Sequence, residues 1–239
     1  MIRILPAAWP VLGVRAFTTL RTGGCSVGPY ASLNLASHVG DAPQDVAANR
    51  MALQRELDIK GAPVWLNQVH GRTVIDAGAS FAAPPEADGS FTTRPGVVCA
   101  VLTADCLPVV LADRKGQCVA VVHAGWRGLA AGVIEAGLAA LPVPPPRLVA
   151  WLGPAIGAAD YEVGDEVRRA FGRAARDAFT PNAQGRYFAD LYALARLRLQ
   201  AAGIGAVYGG GQSCFSHPDL FSYRRTPVCG RMATLAWIA

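Results

Sequence analysis

Three residues with metal-binding or nucleophilic chemistry, His70, Cys106 and His123, each stand at the end or at a break of an apolar run, in NQVHG, TADCLPV and VVHAGW. Two imidazoles and a thiolate form a three-ligand set for zinc that leaves a fourth position for water or substrate, as a catalytic site requires. Zinc lowers the pKa of its water to roughly 7, which suits attack on an electron-poor carbon such as the amino-bearing ring carbon of a purine. The residue types leave two other readings open. Cys106 can be a core thiol beside two hydrogen-bonded structural histidines, or a thiolate nucleophile with His123 as its base, supporting acyl transfer or hydrolysis without a metal.

Around these residues lie candidates for binding an anion. HAGWRGL puts small residues about Trp126 and Arg127 at a helix start, where free N–H groups and a guanidinium suit phosphate. Arg21 in TTLRTGG and Arg224, Arg225 and Arg231 in SYRRTPVCGR can supply bidentate contacts, with Arg21, Arg127 and Arg225 taken as the phosphate-binding set. Asp105 precedes Cys106 and suits an orienting role behind the ligands. The other two histidines, His38 and His217, are expected to be structural.

The elements that must position these groups alternate between strand and helix. A strand ends in the glycine turn at 17–24, and Val46, Met51, Leu53 and Leu57 have helical spacing over Asp45–Leu57. PVWLNQV (63–69) reads as a strand running into His70, with a second strand in RTVIDAG. GVVCAVLTADCLPVVLAD reads as two buried strands interrupted at Thr103–Cys106, and QCVAVVHAGWRG as a strand ending in His123, then a turn and a helix over about 129–141. RLVAWLG is a further buried strand, helices follow at about 163–178 and 188–202, and a last strand pair near AVYGG and ATLAWIA brackets the SCFSHPDLFSYRR loop. The order implies an α/β fold with one domain over residues 1–239, in which strand pairing brings the three ligands to one edge.

Composition narrows the function. With 52% apolar and 16% charged residues, the chain can bury a large core, and Gly 26 with Pro 17 implies many tight turns. The net charge of +5 comes from scattered arginines without a Lys/Arg stripe interleaved with aromatics, so a small anionic ligand is expected and nucleic acid is not. Arg168, Arg169, Arg173 and Arg176 read as a solvated helix face. Six cysteines without CxxC pairs are expected to be reduced thiols. No apolar run approaches ~18 residues and no leader is visible, so a cytoplasmic protein without membrane association is expected, as monomer or homodimer.

Taken in order, TTLRTGG, PYASLNLASHVGD, NQVHGRTV, TADCLPV, HAGWRGL, LGPAIG with YEVG, and FSYRR with GRMA resemble the YfiH-type laccase-domain family, also called multicopper polyphenol oxidase or peptidoglycan editing factor. The resemblance runs from about residue 9 to the end. It implies a purine nucleoside phosphorylase that cleaves adenosine, inosine or methylthioadenosine with phosphate, some members also deaminating adenosine, around a zinc held by two His and one Cys. Those positions fall on His70, Cys106 and His123, which the resemblance makes both metal ligands and catalytic residues. It also implies a layered α/β sandwich with mixed sheets, similar to the catalytic domain of the cytotoxic necrotizing factors. The sequence departs from the family pattern at Cys25, Thr226 and Cys229, none of them a ligand. The family names carry two alternatives: a Cys-His hydrolase that edits peptidoglycan precursors, and a copper-dependent phenol oxidase. Copper binds such donors more strongly than zinc on intrinsic affinity, yet four histidines leave no ligands for the several coppers of a laccase.

Overall fold

The computed structural model describes residues 1–239. In chain order the elements are β1 (Ile4–Pro6), β2 (Val14–Thr19), α1 (Pro43–Glu56), β3 (Val74–Asp76), β4 (Gly89–Thr92), β5 (Cys99–Thr103), β6 (Leu107–Asp113) and β7 (Val119–Ala124). There follow α2 (Trp126–Ala131), α3 (Val133–Ala140), β8 (Leu148–Leu152), β9 (Glu162–Val163), α4 (Asp165–Phe171), β10 (Phe179–Pro181), β11 (Tyr187–Ala189), α5 (Leu191–Ala201), β12 (Ala206–Gly209) and β13 (Met232–Ile238).

The strands form a four-stranded sheet ordered β1-β2-β13-β5, a six-stranded sheet ordered β12-β8-β6-β7-β4-β3, and a small sheet β10-β11-β9. The four-stranded sheet is antiparallel throughout. The six-stranded sheet is mixed, with parallel pairs β12–β8 and β3–β4 at its two edges. Side chains alternate across each strand and so sort into layers. Val110 and Ala112 of β6 meet Val101 of β5 and Ala236 of β13 between the two large sheets. Val109 and Leu111 face the other way, onto Leu129, Ile134 and Leu138 of the helical layer and onto Leu194 of α5. The outer face of the four-stranded sheet packs Phe17, Leu102 and Leu235 against Leu53 of α1 and against Leu33 and Leu35 of the loop before it. The result is an α/β/β/α sandwich.

Several local expectations are altered by glycines and by long-range pairing. The helix expected over 129–141 starts earlier and is two helices, because Gly132 sits at φ 95 and ends α2 in the left-handed region. Gly172, at φ 70, likewise divides the segment expected over 163–178 into α4 and a 3-10 turn (Arg173–Ala178). The helix expected at 188–202 begins at Leu191, where the Asp190 side chain caps it by accepting the Ala193 N–H at 3.0 Å, and residues 187–189 pair as β11. PVWLNQV makes only isolated bridges, Val64 to Cys99 and Asn67 to Glu86, rather than a strand. The expected final strand pair is split between two sheets: β12 pairs with β8, and β13 lies between β2 and β5. No helix is long and apolar enough to cross a membrane.

Candidate metal centre

β5 belongs to one large sheet and β6 to the other, so the three-residue crossover between them, Ala104–Cys106, lies at one end of the sandwich. Cys106 leads directly into β6, and the β6–β7 register places Pro108 opposite His123 and Leu107 opposite Ala124. His70 arrives from the turn ahead of β3. The donor atoms of His70, Cys106 and His123 all lie within 4.8 Å of one another. His70 Nε2 is 3.9 Å from Cys106 Sγ, and the two imidazoles meet edge to face with centroids 4.8 Å apart. All six cysteines are free thiols.

Backbone geometry prepares the three residues. His70 (φ 59) and Asp105 (φ 87) both occupy the left-handed region, which costs a non-glycine residue energy and clusters at functional positions. Gln68 ties the segment ahead of His70 to β5: its Nε2 donates to the Leu102 carbonyl at 2.9 Å and its Oε1 accepts the Leu102 N–H at 2.7 Å. Asp105 ties the Cys106 turn to two loops, its Oδ2 accepting the Arg224 N–H at 2.6 Å and its carbonyl the Ile156 N–H at 2.9 Å. A side chain at Gly125 is excluded, since its Cβ would lie 2.8 Å from His70 Cδ2 and 3.0 Å from Cys106 Sγ.

The orienting group is Asp88, fully buried at the entry to β4. Its carboxylate accepts the N–H groups of Val69 (3.2 Å), His70 (3.0 Å) and Gly71 (2.6 Å) and faces His123 Nδ1 at 2.8 Å. One carboxylate therefore holds the turn that presents the first histidine and, by taking Nδ1–H, aims the other nitrogen of the second at the centre. Burial raises the Asp88 carboxyl, but the His123 and Gly71 hydrogen bonds outweigh it and hold the group below its ordinary value. Burial also opposes a Cys106 thiolate, yet the charge and hydrogen bond of His123, together with His70, bring the thiol down to about 6. Against the desolvation that would lower it, His123 is raised to about 9 by the Cys106 thiolate and Asp88. A thiolate and two imidazoles converging with one position open are a donor set that fits a zinc-type ion. No second group of three such donors exists in the chain.

The centre opens onto a cavity of about 450 Å³. Arg127, Arg224 and Arg231 line it, each stacked on an aromatic ring: Trp126 at 4.5 Å, Tyr161 at 5.4 Å and Tyr223 at 5.8 Å to the centroid. None of the three is in an ion pair with a carboxylate; the hydrogen bonds of the Arg224 and Arg231 guanidinium groups go to main-chain carbonyls or, for Arg231, also to the Cys229 sulfur. The expected phosphate-binding set is only partly brought here. Arg127 lines the cavity, whereas Arg21 lies over Phe221 at 4.7 Å and donates Nε–H to the Ala31 carbonyl, and Arg225 spends its guanidinium on the carbonyls of Cys214, Phe215, His217 and Leu220. Neighbours in sequence thus part roles, because Arg224 and Arg225 point to opposite sides of their turn. His38, expected to be structural, also lines the cavity, while His217 Nδ1 accepts the Asp219 N–H as a loop residue.

Over residues 15–239 the chain matches the family described as multi-copper polyphenol oxidoreductase laccase. It is 51% identical over 236 residues to a Pseudomonas aeruginosa protein named purine nucleoside phosphorylase, the match covering 96% of each chain. It is 44% identical over 243 residues to the Escherichia coli protein named purine nucleoside phosphorylase YfiH, covering 100% of both. Among solved structures, a Neisseria meningitidis protein at 46% identity superposes with a TM-score of 0.95 over 98% of each chain. YlmD from Geobacillus stearothermophilus, at 32% identity, gives a TM-score of 0.88 over 97% of this chain and 94% of its own.

Proposed function

The chain belongs to the multi-copper polyphenol oxidoreductase laccase family, and from that membership and the cavity's chemistry we propose that it is a purine nucleoside phosphorylase acting on adenosine, inosine or methylthioadenosine. The observation that carries the reading is one cavity in which a zinc-type donor triad faces three arginines free of acid partners. His70, Cys106 and His123 would hold the ion, which supplies Lewis acidity toward the substrate when bound.

The chain's own residues supply the rest. Arg127, Arg224 and Arg231 bind the phosphate, and their stacking on Trp126, Tyr161 and Tyr223 fixes the guanidinium planes, so little freedom is lost when the anion arrives. Tyr223, half-exposed at the rim, offers a face to a purine. Asp105 holds the Arg224 main chain against the Cys106 turn, which keeps the anion-binding and metal-binding parts in fixed relation. Asp88 keeps His123 in the tautomer that presents its other nitrogen to the centre. Adenosine deamination at the same site is part of the proposal, because an amino-bearing purine carbon placed there meets the same electrophilic environment. We place the reaction in the reducing cytoplasm, where Cys106 stays reduced and free of disulfides. Copper would compete for the same donors and give weak phenol oxidation.

One observation favours a second reading. Cys106, His123 and Asp88 also form a thiolate, base and orienting carboxylate in series, the elements of a cysteine hydrolase suited to editing peptidoglycan precursors. The two readings separate in one experiment: metal-quantified protein is incubated with the three nucleosides with and without phosphate, beside a His70→Ala control, and free base and inosine are followed by chromatography. Base release that needs phosphate and is lost in the control is the expected result. Bound metal without nucleoside turnover would move the assignment to the Cys106 hydrolase.

A further inference from the structure

Three of the four histidines of the chain line one cavity, and only two of them belong to the donor triad. The third, His38, is on an exposed loop whose course is fixed from beneath. Buried Asn34 donates from Nδ2 to the Ala36 carbonyl and to Asp41, and its Oδ1 accepts the N–H groups of Ala36 and Arg231, each at 3.0 Å. One amide therefore anchors both the His38 loop and the cavity's Arg231. The charges that act on the His38 ring are both cationic: Arg231, and Arg50 of α1, which is itself held by the Leu35 carbonyl and stacked 4.2 Å from Trp65. No carboxylate offsets them. Burial, with these two guanidinium groups, keeps the ring below its ordinary value and hence neutral at pH 7. The imidazole makes no hydrogen bond within the protein, so one nitrogen is free to accept and the other to donate.

Phosphorolysis has a proton to move. When a hydrogen phosphate oxygen bonds to C1′ and the C1′–N9 bond breaks, the electron pair leaves with the purine; the sugar phosphate is a dianion and the released base is neutral. The proton of hydrogen phosphate must therefore end on the purine. A neutral imidazole beside the anion-binding arginine is suited to both halves of that transfer. Resting on the phosphorylase reading, we propose that His38 is the proton shuttle of the reaction: it takes the proton of hydrogen phosphate as the new C1′–O bond forms and passes a proton to the departing purine.

The test uses the full-length metal-loaded protein and its His38→Gln variant, with inosine and 7-methylinosine as substrates and phosphate in both cases. The purine of 7-methylinosine leaves as a neutral species without being protonated, and the phosphate proton then goes to water. The variant should lose roughly 10²- to 10³-fold in kcat on inosine, with the KM for phosphate little changed, and stay within a few-fold of wild type on 7-methylinosine. His38→Asn, checked for metal content, separates this pattern from a local packing effect. Equal losses on the two nucleosides, or no loss on inosine, would overturn the shuttle. Absence of phosphate-dependent turnover by the wild-type protein would instead remove the phosphorylase reading, and the shuttle with it.

Discussion

A single buried carboxylate, Asp88, receives three peptide N–H groups around His70 and the Nδ1–H of His123, so both imidazoles of the centre depend on it. Replacing Asp88 by Ala leaves these donors unsatisfied in a buried place, at a cost of about 1–3 kcal/mol or more in stability, and frees both rings to turn. Metal affinity should fall roughly 10- to 100-fold, read by chelator competition, with Asp88→Asn falling less because an amide oxygen still accepts. Unchanged affinity in Asp88→Ala would show that the rings are held by packing alone. The meeting of His70, Cys106 and His123 was legible in the sequence because each is a costly residue set at the end or break of an apolar run. Asp88 was not, because an Asp in a Pro-rich loop looks like any turn residue until the fold brings it under His70. The same limit applies to the arginines: SYRR shows two guanidinium groups side by side, and only the turn's geometry sends Arg224 to the cavity and Arg225 to main-chain carbonyls.

At the scale of elements, the central strands were readable because β5, β6, β7 and β8 are buried on both faces and so appear as unbroken apolar runs. The splits at Gly132 and Gly172 were visible as glycines but not as breaks, since a lone glycine in a helical pattern is also compatible with continuation. The separation of β12 from β13 into different sheets has no local signal, because pairing partners are set by contacts far apart in sequence. Register matters to the site: sliding β6 by one residue against β7 would swap Val109 and Leu111 with Val110 and Ala112 between layers and would carry Cys106 away from His123. Burial within β5 also has a measurable consequence. The Cys99 thiol, fully buried between the sheets, is pushed up to about 12 by desolvation. Its folded value exceeds its unfolded one, so its contribution is complete below about pH 9 and is lost as pH rises from there through about 12. Denaturant unfolding should show stability declining over that window, by up to a few kcal/mol from this group, at about 1.4 kcal/mol for each pH unit between the two values. Cys99→Ala should decline less steeply, and an identical slope would mean that the thiol is not desolvated.

Over the whole molecule, the two large sheets hold the chemistry at one end of the sandwich, where β5 crosses to β6 and the loops bearing His70, Arg224 and Arg231 close around the crossover. A rigid two-sheet frame with the reacting groups on its connecting turns fixes their separation more tightly than loops alone. The net charge of +5 agrees with an anionic substrate, and the three arginines without acid partners concentrate that charge in the cavity where we propose that phosphate binds. The central claim, that the cavity joins inorganic phosphate to the sugar of a purine nucleoside, is tested most directly by phosphorus NMR of metal-loaded protein incubated with inosine and phosphate. The expected result is a sugar 1-phosphate resonance that grows with loss of inorganic phosphate, one for each hypoxanthine released. Hypoxanthine release with the inorganic phosphate signal unchanged would contradict it and make the protein a hydrolase.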